Sequence, residues 1–172
     1  LAQSIFFSED TLVVIWAALE EVLKLGAVAL IALRTTQADE PIDFVIYMVT
    51  GALGFAALEN ALFLLEPIYL KEATVSLITG NLRFLGATLL HAVSSGIVGI
   101  ALALSFHKGW ANKKLHIFFG LLGATLLHSV FNFLIIKEGS GNSIVVFAFL
   151  WVISIIISMM FERIRRLSYL HK

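Results

Sequence analysis

The sequence predicts an all-α, polytopic transmembrane helix bundle of about five spanning helices, in one membrane domain of residues 1–172. The first observation is composition: 59% of the 172 residues are hydrophobic and 14% are charged, against about 45–50% and 25% in soluble domains. The second is a mean hydropathy of +0.95, too high for a water-soluble globule or a disordered chain. The third is the presence of long, uninterrupted apolar stretches, which indicates an integral membrane protein.

Each of these stretches is long enough to cross about 30 Å of hydrocarbon, which takes roughly 20 helical residues. The segments between them combine charge with Gly, Pro or Asn, as is typical of chain reversals. Buried backbone must satisfy its own hydrogen bonds, so we expect helices, and the short alternating strands of a β-barrel do not occur in the sequence. The predicted helices are about 11–33, 42–65, 82–106, 115–136 and 143–161, followed by a basic cytoplasmic tail at 162–172.

Three further expectations concern the ends and connections of the chain. Ser8 or Asp10 caps the first helix. The 15 residues Glu66–Gly80 form either an interfacial, lid-like piece or a plain surface loop. The sequence begins at Leu1 rather than Met, so we expect it to be a piece of a longer chain, which leaves open whether a further N-terminal helix precedes these five.

The distribution of Lys and Arg predicts the orientation, because cytoplasmic loops are enriched in both. Three of them fall on one side of the membrane: Lys71, Arg83 and Lys137. Eight fall on the other: Arg34, Lys108, Lys113, Lys114, Arg163, Arg165, Arg166 and Lys172. We therefore expect the N-terminus outside and the C-terminus in the cytoplasm, most simply in the cell membrane.

Charge and cysteine content exclude several functions. The 12 basic and 12 acidic residues cancel, so no bulk field attracts nucleic acid, and the expected surroundings are the lipid bilayer. The sequence contains no cysteine, hence no disulfide framework, zinc finger or thiol nucleophile.

Ionisable and amide side chains interrupt four of the five predicted helices, although such groups are costly in a bilayer. With a rise of about 1.5 Å per residue, they converge on a similar depth in the outer half of the membrane. That convergence predicts one shared polar cavity. Its candidate residues are Glu20, Glu21 and Lys24 in the first helix, Glu59 in the second, His91 in the third, and His128 with Asn132 in the fourth.

These groups suit the attack of water on a peptide carbonyl. Glu20 or Glu21 would activate the water as a general base, while the other carboxylate orients Lys24 or a histidine. His91 and His128 would bind that water or the oxyanion, Asn132 would assist, and Glu59 would tune a histidine.

Two alternatives remain open from the residues alone. No cofactor is predicted, but His91, His128 and a glutamate could hold Zn²⁺ with water in the open position, although no H-E-x-x-H motif occurs. The chain could instead be non-catalytic, either a proton- or ion-coupled transporter or a pseudoprotease scaffold. A transporter more often has inverted repeats and broken helices, whereas no proline interrupts a predicted span.

At these residues the sequence resembles the PrsW family of intramembrane proteases, relatives of the type II CAAX prenyl proteases and bacteriocin-processing enzymes. Its four marks are E-E-x-x-K, F-x-x-x-E and two later His-led motifs, which here are Glu20–Lys24, Phe55–Glu59, His91–Ser95 and His128–Asn132. Each motif is weak alone, but the four occur in order, one to a helix, between Thr11 and Ile136.

The resemblance implies an intramembrane endopeptidase that cleaves a membrane-anchored, anti-sigma-factor-like protein at an extracytoplasmic site. It also implies that Glu20, Glu21 and the two histidines form the catalytic set, and it leaves metal dependence open. The CAAX branch usually has Arg and His where Lys24 and Glu59 stand, so processing of prenylated proteins is less favoured.

Overall fold

A computed structural model describes the backbone of residues 8–70, 73–138 and 143–169, and the side chains of 8–63, 84–135 and 144–166. Within these residues the chain forms five α-helices and no strand. They are α1 (Glu9–Ile31), α2 (Pro41–Leu70), α3 (Ala73–Leu104), α4 (Trp110–Glu138) and α5 (Ser143–Tyr169). The all-α prediction is therefore confirmed.

Four of the five helices are long and apolar enough to cross a membrane, over Pro41–Phe63, Phe84–Leu104, Trp110–Ile135 and Ile144–Arg166. The remaining helix, α1, has 23 residues, or about 35 Å at 1.5 Å per residue. Its length would suffice for a span, but it carries Glu20, Glu21 and Lys24 near its middle.

The helices extend beyond several of the predicted boundaries. The expected connection at 66–80 is helical at 66–70 and 73–80, because α2 runs to Leu70 and α3 begins at Ala73; residues 71 and 72 lie outside the described part. Likewise α5 continues to Tyr169 through most of the expected tail. Hydropathy marks where the apolar stretch ends, whereas helical hydrogen bonding continues through the polar interface.

The N-terminus of α1 is capped by Ser8, one of the two predicted candidates. Its hydroxyl accepts from the Thr11 backbone N–H at 3.3 Å, which satisfies one of the free donors of the first turn. Asp10 lies inside that turn.

Helix α3 is the centre of the bundle. Of its apolar stretch Phe84–Leu104, 67% is buried inside the protein, against 11% for Ile144–Arg166 of α5. Close backbone approach depends on glycine: a Cβ at Gly99 would lie 2.7 Å from the Val45 Cα of α2. One at Gly120 of α4 would lie 2.7 Å from the Ala101 Cβ of α3.

Two apolar clusters enclose the polar residues along the bundle. One contains Val28, Met48 and Val98, and the other contains Leu90, Phe131 and Leu150. On α3 and α4 the predicted histidines fall between them, so His91 and His128 have packed apolar neighbours on both sides.

Candidate active site

Helix α1 supplies the charged centre of the site. Its buried residues are Ala17, Glu21, Lys24 and Val28, spaced by four, three and four, which is one face of a helix. Glu21 and Lys24 are therefore on the same buried face, where Lys24 Nζ donates to Glu21 Oε1 at 2.6 Å. Two opposite charges out of water are tolerated because they are paired and hydrogen-bonded.

Glu21 Oε1 collects donors from three helices. Besides Lys24, it accepts from the Ser94 hydroxyl of α3 at 3.0 Å and lies 2.9 Å from His128 Nδ1 of α4. Because a carboxylate accepts and does not donate, His128 carries its proton on Nδ1 and leaves Nε2 free. Glu21 therefore fixes the orientation of the His128 ring.

His91 of α3 joins Lys24 to Glu59. Its Nδ1 lies 2.8 Å from Lys24 Nζ and its Nε2 lies 2.6 Å from Glu59 Oε2. An ammonium group only donates, so Nδ1 accepts from Lys24, and Nε2 carries the proton and donates a hydrogen bond to Glu59 Oε2. Phe55, one turn before Glu59, packs edge-on against the His91 ring with centroids 5.4 Å apart.

Glu20 and Glu21 each have a buried Oε2 without a hydrogen-bond partner. Glu20 Oε2 lies 3.5 Å from His128 Nε2, the nitrogen that Glu21 leaves free. The rings of His128 and His91 meet edge to face at 5.2 Å. A free carboxylate oxygen facing a free imidazole nitrogen can hold and deprotonate a small molecule such as water.

The structure brings six of the seven predicted polar residues into one cluster: Glu20, Glu21, Lys24, Glu59, His91 and His128. Asn132 is separate. It is half-buried, one helical turn beyond His128 on α4, and makes no hydrogen bond to the cluster within the described residues.

The candidate residues predicted from the sequence do not include Ser94 and Ser95. Ser94 is a donor to Glu21, and Ser95 Oγ is buried without a hydrogen-bond partner. The i,i+3 spacing of Ser94 from His91 on the polar face of α3 was the available signal. Serine is so common at helix contacts in membranes that the residue type alone does not distinguish such a donor from a packing residue.

Three of these residues are of the types that bind metal ions and lie close together. One donor atom each from Glu20, His91 and His128 lies within 4.8 Å of the others. The 3.5 Å between Glu20 Oε2 and His128 Nε2 is close to the ligand–ligand distance of about 3.4 Å in tetrahedral Zn²⁺. His91 can bind a metal ion only through Nδ1, the nitrogen that carries no proton. That nitrogen already accepts a hydrogen bond from Lys24, so Lys24 would have to be displaced. The residues fit a divalent cation once the Lys24 ammonium withdraws from His91.

Comparison with known proteins supplies the family. Residues 3–159, most of the chain, match the family described as PrsW family intramembrane metalloprotease. No curated protein and no solved structure gives a significant match. With four helices long and apolar enough to cross a bilayer, the chain is an integral membrane hydrolase. It belongs to the PrsW family of intramembrane metalloproteases.

Proposed function

We propose that this protease hydrolyses a peptide bond of a membrane-anchored protein, and that Glu20 is the carboxylate that activates the water. The observation that carries the proposal is the buried, unpartnered Glu20 Oε2, which lies 3.5 Å from His128 Nε2. Water held between these two atoms would have one acceptor for its proton and a second partner for orientation.

The two adjacent glutamates differ in what surrounds them. Glu21 is completely buried, and its Oε1 has Lys24, Ser94 and His128 around it. A carboxylate with that many donors is stabilised as the anion and is a poor proton acceptor. Each glutamate has an Oε2 without a hydrogen-bond partner, but Glu20 is 25% exposed and its Oε2 faces His128 Nε2 at 3.5 Å. We therefore assign the proton transfer to Glu20 and the positioning of His128 to Glu21.

The proposed reaction has two steps. The water oxygen attacks the peptide carbonyl while its proton passes to Glu20, giving a tetrahedral intermediate with a negative oxygen. That intermediate then collapses as Glu20 returns the proton to the leaving amine, so the C–N bond breaks and the carboxylate is regenerated. Asn132, one turn from His128, is assigned to the negative oxygen. His91 holds Lys24 and Glu59 in place beside the His128 ring.

A metal ion held by Glu20, His91 and His128 would supply a Lewis acid that acidifies the attacking water. With a metal ion bound, Glu20 would be a ligand rather than the base. Loss of Glu20 would therefore abolish activity in either mechanism. The residues around it keep the same tasks, since Glu21 still orients His128 and Glu59 still accepts from His91.

Access to the site favours a substrate that approaches beside α1 and α2. Glu20 on α1 is 25% exposed and Glu59 on α2 is 33% exposed, whereas Glu21, Lys24, His91 and His128 are buried. We propose that α1 also crosses the membrane, with its charges turned to the bundle, and that the N-terminus is outside the cell membrane. The cut then lies in the outer half of the bilayer, as expected for an anti-sigma-factor-like substrate.

One observation favours a second, non-catalytic candidate. The contacts Glu59–His91–Lys24–Glu21–His128 form an unbroken hydrogen-bonded chain across four helices, and such chains carry protons in transporters. Proton flux into liposomes that disappears in Glu21→Gln, with no protease activity in the wild type, would favour this candidate.

The test of the protease compares new protein N-termini in cells that express the wild type, Glu20→Gln, Glu21→Gln or Glu162→Gln, at matched abundance. We expect a membrane-protein cut that is present with the wild type and with the exposed-site control Glu162→Gln, and absent with Glu20→Gln. Full cleavage by a folded Glu20→Gln variant would remove Glu20 from the reaction. Identical profiles for all four proteins would remove the activity itself.

A further inference from the structure

A cavity lies away from the catalytic cluster. Its volume is about 310 Å³, and it lies between the end of α3, the first turns of α4 and the middle of α5. Leu104, Phe119, Ile157 and Met160 are among its lining residues, and His116 is the one polar residue there. Its innermost α3 residue, Ile97, follows His91 by six positions, about 9 Å along the helix axis.

The cavity lies near one end of the spanning helices. The apolar stretch of α3 ends at Leu104 and that of α4 begins at Trp110, so the connection between them marks the boundary between hydrocarbon and headgroups. Ile97 to Leu104 covers about 10 Å of depth below that boundary. A hydrocarbon chain in this cavity would therefore have its polar end at the α3–α4 connection.

Four cations lie close in sequence to the lining residues at that end. Lys108 lies in the connection, Lys113 and Lys114 lie in the first turns of α4, and Arg163 follows the lining residue Met160 by three positions on α5. Within the described residues none of these four forms an ion pair with a carboxylate, whereas Glu162 pairs with the neighbouring Arg166 at 2.8 Å. These four positive charges are therefore available to an anionic partner outside the chain.

His116 places one of these cations at the cavity wall. Its Nδ1 lies 2.7 Å from the Asn112 carbonyl oxygen, which can only accept, so Nδ1 carries the proton and Nε2 accepts. Lys108 Nζ donates to that Nε2 at 3.0 Å and keeps two further N–H donors. Trp110, over which Lys114 Nζ lies at 5.0 Å, is a residue type enriched at this depth of the membrane.

We propose that this cavity is a binding site for an anionic phospholipid, with one acyl chain between α3, α4 and α5 and the phosphate at Lys108. The apolar lining selects a hydrocarbon chain, and the unpaired cations select a headgroup with net negative charge over a zwitterionic one. The site is remote from Glu20 and does not depend on the proposed reaction.

The experiment is native mass spectrometry of the purified protein in an equimolar mixture of phosphatidylglycerol and phosphatidylcholine with identical acyl chains. We expect the first bound lipid to be phosphatidylglycerol, by about fivefold, and Lys108→Gln to remove most of that preference. Arg166→Gln is the matched charge control, because Arg166 is 77% exposed and paired with Glu162, and it should keep the preference.

A second pair of variants tests the acyl-chain part of the site. Met160→Trp should fill the cavity and reduce both adducts, whereas Met159→Trp, at a neighbouring residue that is 69% exposed and not part of the lining, should leave them unchanged. Equal adducts of the two lipids on the wild type would overturn the proposal. So would equal loss of preference in Lys108→Gln and Arg166→Gln, or equal effects of the two tryptophans.

Discussion

Lys24 Nζ lies 2.6 Å from Glu21 Oε1, and both side chains are completely buried. Charges withdrawn from water in this way depend on each other, since removal of one partner leaves the other uncompensated in a low-dielectric surrounding. The same ammonium group also donates to His91 at 2.8 Å. Lys24 therefore links the carboxylate of α1 to the imidazole of α3, and through it to Glu59 of α2.

Replacing Lys24 by Met should destabilise the protein strongly. We expect a loss of about 3–5 kcal/mol, the typical cost of breaking a buried ion pair from one side, seen as a lower thermal unfolding midpoint in detergent. Lys108→Met is the matched control, because Lys108 is exposed and makes no described ion pair. An equal midpoint for the two variants would show that the Lys24–Glu21 pair contributes little to stability.

Zn²⁺ or Co²⁺ should stabilise Lys24→Met more than it stabilises the wild type. In the wild type the metal competes with the ammonium group for His91 Nδ1, whereas in the variant that nitrogen is free and the positive charge is missing. A ligand that binds only the folded state raises the unfolding midpoint, so midpoints measured against metal concentration provide the readout. Equal stabilisation of both proteins would mean that metal binding does not displace Lys24.

Ser94→Ala should lower both stability and activity to a modest degree. The hydroxyl is one of three donors to Glu21 Oε1, so its loss should cost about 1–3 kcal/mol for a hydrogen bond to a charged group. Activity should fall severalfold as Glu21 holds His128 less firmly. Ser105→Ala, a buried serine that bonds the Leu102 carbonyl at the far end of α3, is the control. Activity should distinguish the two variants even if their unfolding midpoints are alike.

The helices and their polar residues could be predicted because each depends on a local pattern. Long apolar stretches predicted the five helices, and ionisable side chains inside them indicated Glu21, Lys24, His91 and His128. The helix ends could not be predicted as well. Helix α2 runs on to Leu70 past Pro67, because hydrogen bonding continues where hydropathy no longer reports it.

The different roles of Glu20 and Glu21 could also not be predicted from the sequence. Adjacent helical residues diverge by about 100°, so one had to face the bundle more than the other. Which one depends on the rotation of α1 about its axis, and that rotation is set by packing of Ala17 and Val28 against other helices. The bond between His91 and Glu59 likewise depends on how α2 and α3 align.

Glu59→Gln should lower kcat about tenfold with little change in KM. Glu59 accepts from His91 Nε2 at 2.6 Å, and a neutral amide oxygen would accept the same hydrogen bond without the negative charge beside the His91 ring. Glu59 is 33% exposed, so the unfolding midpoint should change little. A rise in KM at unchanged kcat would instead place Glu59 in substrate binding.

Asn132→Ala should separate a role in the reaction from a role in packing. Asn132 is half-buried and makes no described hydrogen bond to the cluster, so its removal should leave the unfolding midpoint unchanged. If its amide donates to the negative oxygen of the intermediate, kcat should fall by about 10²–10³. Ser129→Ala is the control on the same helix, since Ser129 bonds the Thr125 carbonyl at 2.8 Å and should affect stability more than kcat. An unchanged kcat in Asn132→Ala would assign the oxyanion to another donor, and His128 Nε2 would be the next to test after protonation.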